Sequence, residues 1–147
     1  MVLPNAIRGA AQRFGDRPAI VGPGPTSFSY RELDERSDRL AAAWRDIGVG
    51  EGSVVALTMP SGGDYVVAYL AAAKLGAITA GVNPSLAPPE QAAVIARLHP
   101  DHVIEGPLPA TIGTDATDLH DSLPPIGDDP ERIVAVVFTS GTTGPPK

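Results

Sequence analysis

The sequence predicts an α/β fold with a mostly parallel sheet and helices on both faces. Apolar runs of strand length alternate with segments of helical periodicity, which is the pattern of consecutive βαβ units. The clearest unit is a strand at residues 54–59, a helix at 62–75 and a strand at 77–81. The last apolar run, residues 133–138, has no polar face, which is typical of a strand buried on both sides. With 147 residues, of which 43% are hydrophobic, the chain is long enough to bury a core.

The elements before this unit follow from local signals. Periodicity predicts a helix at residues 4–14, and two short strands at 19–21 and 27–30 enclose a Gly-Pro-Gly-Pro turn. Ser29 and Glu32 have the spacing of a capping box, so a second helix is predicted from there to about Ile47. The apolar positions at helical spacing that predict its buried face are Leu33, Leu40, Trp44 and Ile47.

The glycine-rich stretches of this first half predict turns. Residues 22–25 interleave prolines with glycines and have no helix directly after them, which favours a plain turn. Gly48, Gly50 and Gly52 follow a helix and precede a strand, whereas a dinucleotide-binding fingerprint follows a strand and opens a helix. Neither stretch therefore predicts a nucleotide site.

The third predicted helix, residues 62–75, is almost wholly apolar in its centre. Ser61 is its expected N-cap, and Gly76 lies just past its end. Lys74 is expected to snorkel from the end of this helix to solvent, with a catalytic role as the less favoured alternative.

Two further elements and an acidic segment follow. A fourth helix is predicted at residues 88–98, with Pro89 in its first turn, and a short strand at 103–105. His99 and His102 flank that junction without a third ligand nearby, so a metal site is not favoured. Residues 100–132 are acidic and rich in Pro and Gly, which predicts a surface excursion before the last strand.

The composition excludes several classes of function. A net charge of −6 argues against a general nucleic-acid binder, because phosphate backbones are held by clustered Lys and Arg. The absence of cysteine excludes a disulfide scaffold and suits the cytoplasm. No apolar run has the length of a membrane span, and the N-terminus lacks the pattern of a secretion signal. We therefore expect a cytoplasmic protein, and the abundance of Ala, Gly, Pro and Arg hints at a bacterial source.

Residues 139–147 follow the last predicted strand and combine hydroxyls, glycines, prolines and one lysine. Such a loop can direct backbone N–H groups, hydroxyls and an ammonium at one anion, and its glycines let the backbone approach closely. A polyphosphate suits this chemistry, although composition alone leaves a polar connector or hairpin turn equally open. A Walker-type loop is excluded, because only two residues separate Gly141 from Gly144 and Lys147 follows a proline.

The same nine residues, Thr-Ser-Gly-Thr-Thr-Gly-Pro-Pro-Lys, resemble the signature loop of the adenylate-forming enzymes. This superfamily includes acyl-CoA synthetases, coumarate-CoA-ligase-like enzymes, luciferases and peptide-synthetase adenylation domains. Its pattern reads Thr-Ser-Gly-Thr/Ser-Thr-Gly-x-Pro-Lys after a buried strand, and residues 139–147 fit it without a departure. The resemblance implies that the loop holds the β- and γ-phosphates of ATP while a carboxylate attacks the α-phosphate.

The resemblance also assigns the site residues. Those it implies to be ATP-binding are Thr139, Ser140, Gly141, Thr142, Thr143, Gly144 and Lys147. Lys147 is in addition the implied catalytic residue, since its ammonium would neutralise charge as pyrophosphate departs.

A second stretch bears on the acceptor of the activated acid. Ala-Lys-Leu-Gly-Ala at residues 73–77, followed by Asn83 and Pro84, resembles a family signature in the form common among acyl- and aryl-CoA ligases. Peptide-synthetase domains usually carry Pro-Ile/Leu-Asp there. The resemblance thus favours a fatty or aryl acid and coenzyme A. An acyl-carrier protein as acceptor, or a catalytically incompetent fragment with a structural or polyphosphate-binding role, remain alternatives.

The resemblance covers nearly the whole chain, but only the N-terminal part of the large domain of such an enzyme. It implies that the acid pocket, the magnesium-holding residue, the ribose-binding aspartate and a mobile C-terminal domain lie beyond Lys147. We expect ATP, coenzyme A and a carboxylic acid as ligands, Mg²⁺ held outside this chain, and the remainder of the enzyme as a partner. The isolated chain is expected to be inactive.

Overall fold

The computed structural model describes residues 2–22, 27–109, 123, 125–127 and 129–138. Within them the elements, in chain order, are α1 (Leu3–Phe14), β1 (Pro18–Ile20), β2 (Phe28–Ser29), α2 (Tyr30–Asp46), β3 (Val54–Thr58), α3 (Gly63–Lys74), β4 (Ile78–Gly81), α4 (Pro88–Leu98), β5 (His102–Glu105) and β6 (Ala135–Val136). No helix among the described residues is both long and apolar enough to cross a membrane.

Four strands form a sheet in the order β5-β3-β4-β6, and every neighbouring pair is parallel. The remaining two strands, β1 and β2, form a separate antiparallel ribbon. Helix α3 connects β3 to β4, and α4 lies between β4 and β5, as the alternating pattern predicts. The predicted α/β class with a mostly parallel sheet is confirmed.

The sheet has an apolar layer on each face. Val55 and Leu57 belong to a large cluster with α2 and α3, whereas Ala56 between them belongs to a smaller cluster with Val94 of α4. This alternation follows from the two-residue period of a strand. Helices therefore cover both faces, as predicted.

Helix α2 begins at the predicted capping box. The Glu32 amide donates to Ser29 Oγ over 3.2 Å, and the Ser29 amide donates to Glu32 Oε2 over 2.8 Å. Leu33, Leu40 and Trp44 are buried as predicted. The prediction for Ile47 is wrong: it is the C-cap residue and 58% exposed, because the helix ends before it can face the core.

Helix α3 departs from prediction at both ends. Its N-cap is Gly62 rather than Ser61, and no side chain caps it. Lys74 does not snorkel to solvent, because it is only 2% exposed. Its Nζ donates to Asp34 Oδ1 and to Asp38 Oδ1, each over 2.7 Å, and to the Asp34 carbonyl over 2.9 Å. A buried lysine needs such partners, and both carboxylates come from α2.

The last strand also differs from expectation. It is two residues long and lies at the edge of the sheet, with β4 as its neighbour. Ile133, Val134 and Val137 are exposed, Val137 by 77%, so within the described chain this strand is not buried on both sides. Of the predicted surface excursion at residues 100–132, Leu108 is buried and Leu123 packs on the larger cluster.

Candidate functional site

The carboxyl ends of four parallel strands meet along one edge of the sheet. The register places Leu57 of β3 beside Gly81 of β4, and Thr58 beside Glu105 of β5. Ala80 of β4 lies beside Val136 of β6. In open α/β sheets ligands bind outside this edge, where loops leave the strands. The candidate site is therefore the edge formed by the ends of β3, β4, β5 and β6.

Strand β6 reaches this edge in a defined register. The Thr79 amide donates to the Val134 carbonyl over 3.1 Å, and Thr79 pairs with Ala135. Beyond the strand, Phe138 packs against the cluster that contains Ala56, Val82 and Val94. The chain is thus held at Val134 and again at Phe138, the residue before 139.

Tyr65 of α3 closes over the end of β4. Its hydroxyl lies 2.8 Å from the position that a Cβ on Gly81 would occupy, so a side chain at Gly81 would displace it. Burial raises the pKa of the Tyr65 phenol, and the charge of Tyr69 adds to the effect. Tyr65 therefore remains a neutral hydroxyl, able to donate a hydrogen bond, across the physiological range.

A second hydroxyl at this edge belongs to Thr58 of β3. Thr58 Oγ1 is buried, and no hydrogen-bond partner for it exists within the described residues. Nearby, the Leu108 amide donates to Asp64 Oδ2 over 3.3 Å, which ties the segment after β5 to the first turn of α3.

The connection after β4 is fixed by side-chain hydrogen bonds. Asn83 Oδ1 accepts from the Ser85 amide over 2.9 Å, which closes a local turn. Gln91 Nε2 donates to the carbonyls of Pro84 and Leu86 over 3.0 and 3.1 Å. The role visible for the Asn83-Pro84 signature is therefore to shape this connection at the candidate edge.

The predicted ATP-binding residues, Thr139 to Thr143, Gly144 and Lys147, lie outside the described residues. The structure brings the chain to the carboxyl edge as far as Phe138, the residue before them. Across the described ranges, no group of three or more His, Cys, Asp or Glu side chains could hold a metal ion. His99 ends α4 in the left-handed conformation, with φ of 48°, and His102 begins β5.

Thr58 and Tyr65 were not predicted from the sequence as residues of the site. One signal could have found Thr58, because it lies next to the carboxyl end of the predicted strand at residues 54–59, and such ends converge on the site. No comparable signal marks Tyr65. It lies in an apolar helix, and its position over Gly81 follows from how α3 packs on the sheet.

The parallel sheet, with a ligand-binding edge at its carboxyl end, defines an α/β protein of the open-sheet class. The family described as AMP-binding enzyme matches residues 7–147. The chain belongs to this family, and it corresponds to part of an adenylate-forming enzyme.

Relatives of two kinds support this assignment. The chain is 33% identical over 164 residues to a 3-hydroxybenzoate–CoA ligase from Aromatoleum sp., covering 93% of this chain and 31% of that one. It is 40% identical over 80 residues to a salicyl-AMP ligase / salicyl-S-ArCP synthetase from Mycobacterium tuberculosis, covering 52% and 14%. The chain thus spans less than a third of the length of either relative.

A solved structure agrees with the fold. The inhibitor-bound N-terminal domain of FACL13 from Mycobacterium tuberculosis superposes with a TM-score of 0.80 at 25% identity, covering 99% of this chain and 43% of that one.

Proposed function

We propose that this chain supplies the ATP phosphate-binding loop of an enzyme that activates a carboxylic acid as its acyl-adenylate and then forms a thioester with coenzyme A. The acid is fatty or aromatic, and the enzyme works in the cytoplasm. The observation that carries this proposal is the course of β6. It runs parallel to β4 and brings the chain to the carboxyl edge of the sheet as far as Phe138, the residue directly before the signature.

The residues of the signature suit a polyphosphate. Gly141 and Gly144 carry no side chain, so the backbone N–H groups can approach phosphate oxygens. Ser140, Thr142 and Thr143 can donate hydroxyl hydrogen bonds to the same oxygens. The ammonium of Lys147 supplies a positive charge where pyrophosphate leaves.

In the reaction, the carboxylate oxygen of the acid attacks the α-phosphorus of ATP. The new bond gives the acyl-adenylate, and the bond to the β-phosphate oxygen breaks to release pyrophosphate. The thiol of coenzyme A then attacks the acyl carbon and displaces AMP. The part assigned to this chain is to hold the departing phosphates and to oppose the charge that grows on them.

Mg²⁺, when bound, would supply positive charge to the phosphates of ATP. The described residues offer no cluster of carboxylates or imidazoles for it, so no Mg²⁺ ligand is assigned within them. The residues that contact coenzyme A and the side chain of the acid are likewise not assigned within this chain.

A second acceptor is favoured by one observation. The salicyl-AMP ligase / salicyl-S-ArCP synthetase is 40% identical to this chain over 80 residues, and its name indicates transfer to a carrier protein. Asn83 and Pro84 favour coenzyme A, because the resemblance links that form to CoA ligases. Transfer to a carrier protein is therefore the alternative. A purely structural or polyphosphate-binding fragment is a third candidate.

The test uses a complete enzyme in which these 147 residues are joined to the remainder of a ligase. Isotope exchange between pyrophosphate and ATP is measured with and without a panel of fatty and aryl acids. We expect exchange that depends on one class of acid, followed by release of a thioester when coenzyme A is added.

Two other outcomes have definite meanings. If the adenylate forms but only a carrier protein is loaded, the acceptor in the proposal is wrong. If no acid supports exchange, the proposal that the chain serves adenylation fails.

A further inference from the structure

Arg132 packs against Glu51, Gly76 and Ile126 at the amino end of the sheet, away from the candidate site. We call this group of contacts the Arg132 seat. Its guanidinium Nη1 is 2.8 Å from Glu51 Oε1, and its side chain is only 17% exposed. Glu51 belongs to the connection between α2 and β3, while Arg132 lies three residues before β6. The ion pair therefore joins the start of the last strand to the loop that precedes the central strand.

The floor of this seat is Gly76, the residue after the C-cap of α3. Gly76 has φ of +69°, and a Cβ built there would lie 2.9 Å from Arg132 Nη1, 3.1 Å from Ile126 Cδ1 and 3.3 Å from Glu51 Cγ. Glycine thus meets two needs at once, a left-handed backbone and the close approach of the guanidinium.

The ion pair alone cannot be the main contribution of this seat. Glu51 is 70% exposed, and ion pairs with an exposed partner contribute little to stability because water and salt screen them. What distinguishes Arg132 is that the planar guanidinium covers a glycine backbone and fills the space beside Ile126. Such packing specifies position more than it adds stability.

Position matters here because β6 has little else to hold it. It is two residues long and lies at the sheet edge, and within the described chain it pairs with β4 alone. Phe138 lies six positions after Arg132, a span of about 20 Å of extended chain at 3.3 Å per residue. Arg132 fixes one end of this segment and Phe138 the other, with Thr79 bonded to Val134 between them. A slip of one residue would turn every side chain of the strand to the opposite face.

We propose that Arg132, seated on Gly76 and paired with Glu51, is a positioning residue that sets the register of β6 and so the point where the signature loop leaves the sheet. The link to catalysis rests on the function proposed above. The link to register does not, and the two are tested separately.

The register is tested by amide hydrogen exchange on the 147-residue chain. The reporter is the Thr79 amide, bonded to Val134 across β4 and β6, and the internal reference is the Val82 amide, bonded to Leu57 across β3 and β4. In Arg132→Ala we expect Thr79 to exchange about tenfold faster, with Val82 within about twofold of the parent, because only local opening at the edge becomes easier. Equal acceleration of both amides would mean a merely structural role and would overturn the proposal.

Two matched control variants distinguish loss of the Arg132 contacts from the general effects of removing an arginine or of straining a glycine backbone. Arg39→Ala removes another arginine from an ion pair, with Glu35, and should leave the Thr79 amide unchanged. Gly48 also follows a helix C-cap with positive φ, +93°, but nothing lies within 4 Å of a Cβ there. Gly76→Ala and Gly48→Ala therefore share the backbone strain, and only Gly76→Ala should expose the Thr79 amide to exchange. Identical Thr79 exchange in these two variants would contradict the proposal.

The effect on catalysis is tested in the complete enzyme by measuring kcat and KM separately for ATP and for the acid. Arg132→Ala should lower kcat/KM for ATP by about tenfold, since a misplaced loop misplaces the phosphates, and leave KM for the acid unchanged. The double variant Glu51→Arg with Arg132→Glu should recover part of the lost kcat/KM for ATP, because it restores an ion pair of reversed polarity. Neither of the two single charge-reversal variants should recover it. Parental ATP kinetics in a variant whose Thr79 amide has lost protection would refute the positioning role.

A complete enzyme without any acid-dependent exchange would count against the proposed function only. The amide exchange results would then decide the register claim alone.

Discussion

At the scale of single residues, Lys74 shows how a charge can be kept inside this fold. Its ammonium contacts both Asp34 and Asp38, and Arg8 Nη2 lies 3.6 Å from the same Oδ1 of Asp38. The four residues come from three helices, α1, α2 and α3. Removing Lys74 takes the ammonium away from the Asp34 carboxylate and leaves Asp38 the longer contact with Arg8, which costs more than the intact group contributes.

We predict that Lys74→Met lowers the free energy of unfolding by about 3 kcal/mol at neutral pH, because two carboxylates are left facing each other. Denaturant unfolding measures this change. Arg39→Ala, at an exposed pair with Glu35, is the control and should change stability by at most about 0.5 kcal/mol. A Lys74→Met variant as stable as the parent would mean that the cluster does not hold the helices together.

Lys147 is expected to act on rate. In the complete enzyme, Lys147→Ala should slow adenylation on the order of 10²-fold, about 2.7 kcal/mol at 1.36 kcal/mol per tenfold, because its charge opposes one that grows in the transition state. The melting temperature should scarcely move. Adenylation rate and melting temperature measured on the same preparations check both statements.

Gly144→Val extends the same test to the loop backbone. A branched side chain would fill space that the phosphate needs, so both nucleotide binding and rate should fall. If the loop were only a connector, stability would fall instead and the rate per folded molecule would stay. Unaltered adenylation in both variants would contradict the assignment of the loop.

At the scale of elements, the start of α2 is a titratable cap. Hydrogen bonds from the Ser29 amide and hydroxyl lower the pKa of Glu32 below its ordinary value of 4.5. A carboxylate with a lowered folded pKa stabilises the protein above the unfolded pKa, and that contribution is lost as the pH falls through the folded pKa.

We therefore predict that parent and Glu32→Gln differ in stability at pH 7 and converge as the pH drops below about 4.5. Glutamine keeps the geometry of the capping box but does not titrate, so the comparison isolates the charge. Thermal unfolding across the acid range measures it. Asp46→Asn, at an exposed carboxylate, is the control, and a constant difference at all pH values would contradict the prediction.

Strand β6 is the element whose environment most needs the rest of the molecule. Its run of apolar residues suits a buried strand, yet Ile133, Val134, Val136 and Val137 are exposed in the described chain. The apolar composition is a local property, whereas burial depends on what packs against the outer side of the sheet.

At the scale of the whole molecule, the chain spans 31% of the 3-hydroxybenzoate–CoA ligase that it resembles. We predict that the purified 147-residue chain catalyses no acid-dependent ATP–pyrophosphate exchange, because one loop cannot also bind adenine, ribose and acid. Exchange that appears only after the remainder of a ligase is added would support this prediction. Exchange by the chain alone would refute it.

Local interactions explain which parts of the fold were predictable. Two features of α2 could be predicted directly from the sequence because they involve residues a few positions apart. These are the capping box of Ser29 and Glu32 and the helical period of the apolar residues. The Ser61 cap and the burial of Ile47 were predicted wrongly, because helix ends are decided by one or two residues whose competition local rules do not resolve.

In the candidate site, too, the features carried by neighbouring residues were predictable and the contacts between distant residues were not. The signature at residues 139–147 is readable from the sequence because nine consecutive residues carry it. The position of Tyr65 on Gly81 at this site was not readable, nor was that of Arg132 on Gly76 at the other end of the sheet, because each contact joins residues far apart in the chain.

By itself the sequence determined the class of fold, the order of its helices and strands and the family signature, since all three rest on periodicity and on short-range pattern. Only the tertiary structure decided the strand order β5-β3-β4-β6, the burial of Lys74 between two aspartates and the seat of Arg132. These depend on packing between distant segments, where the gain from burying one side chain is set by neighbours that no local pattern specifies.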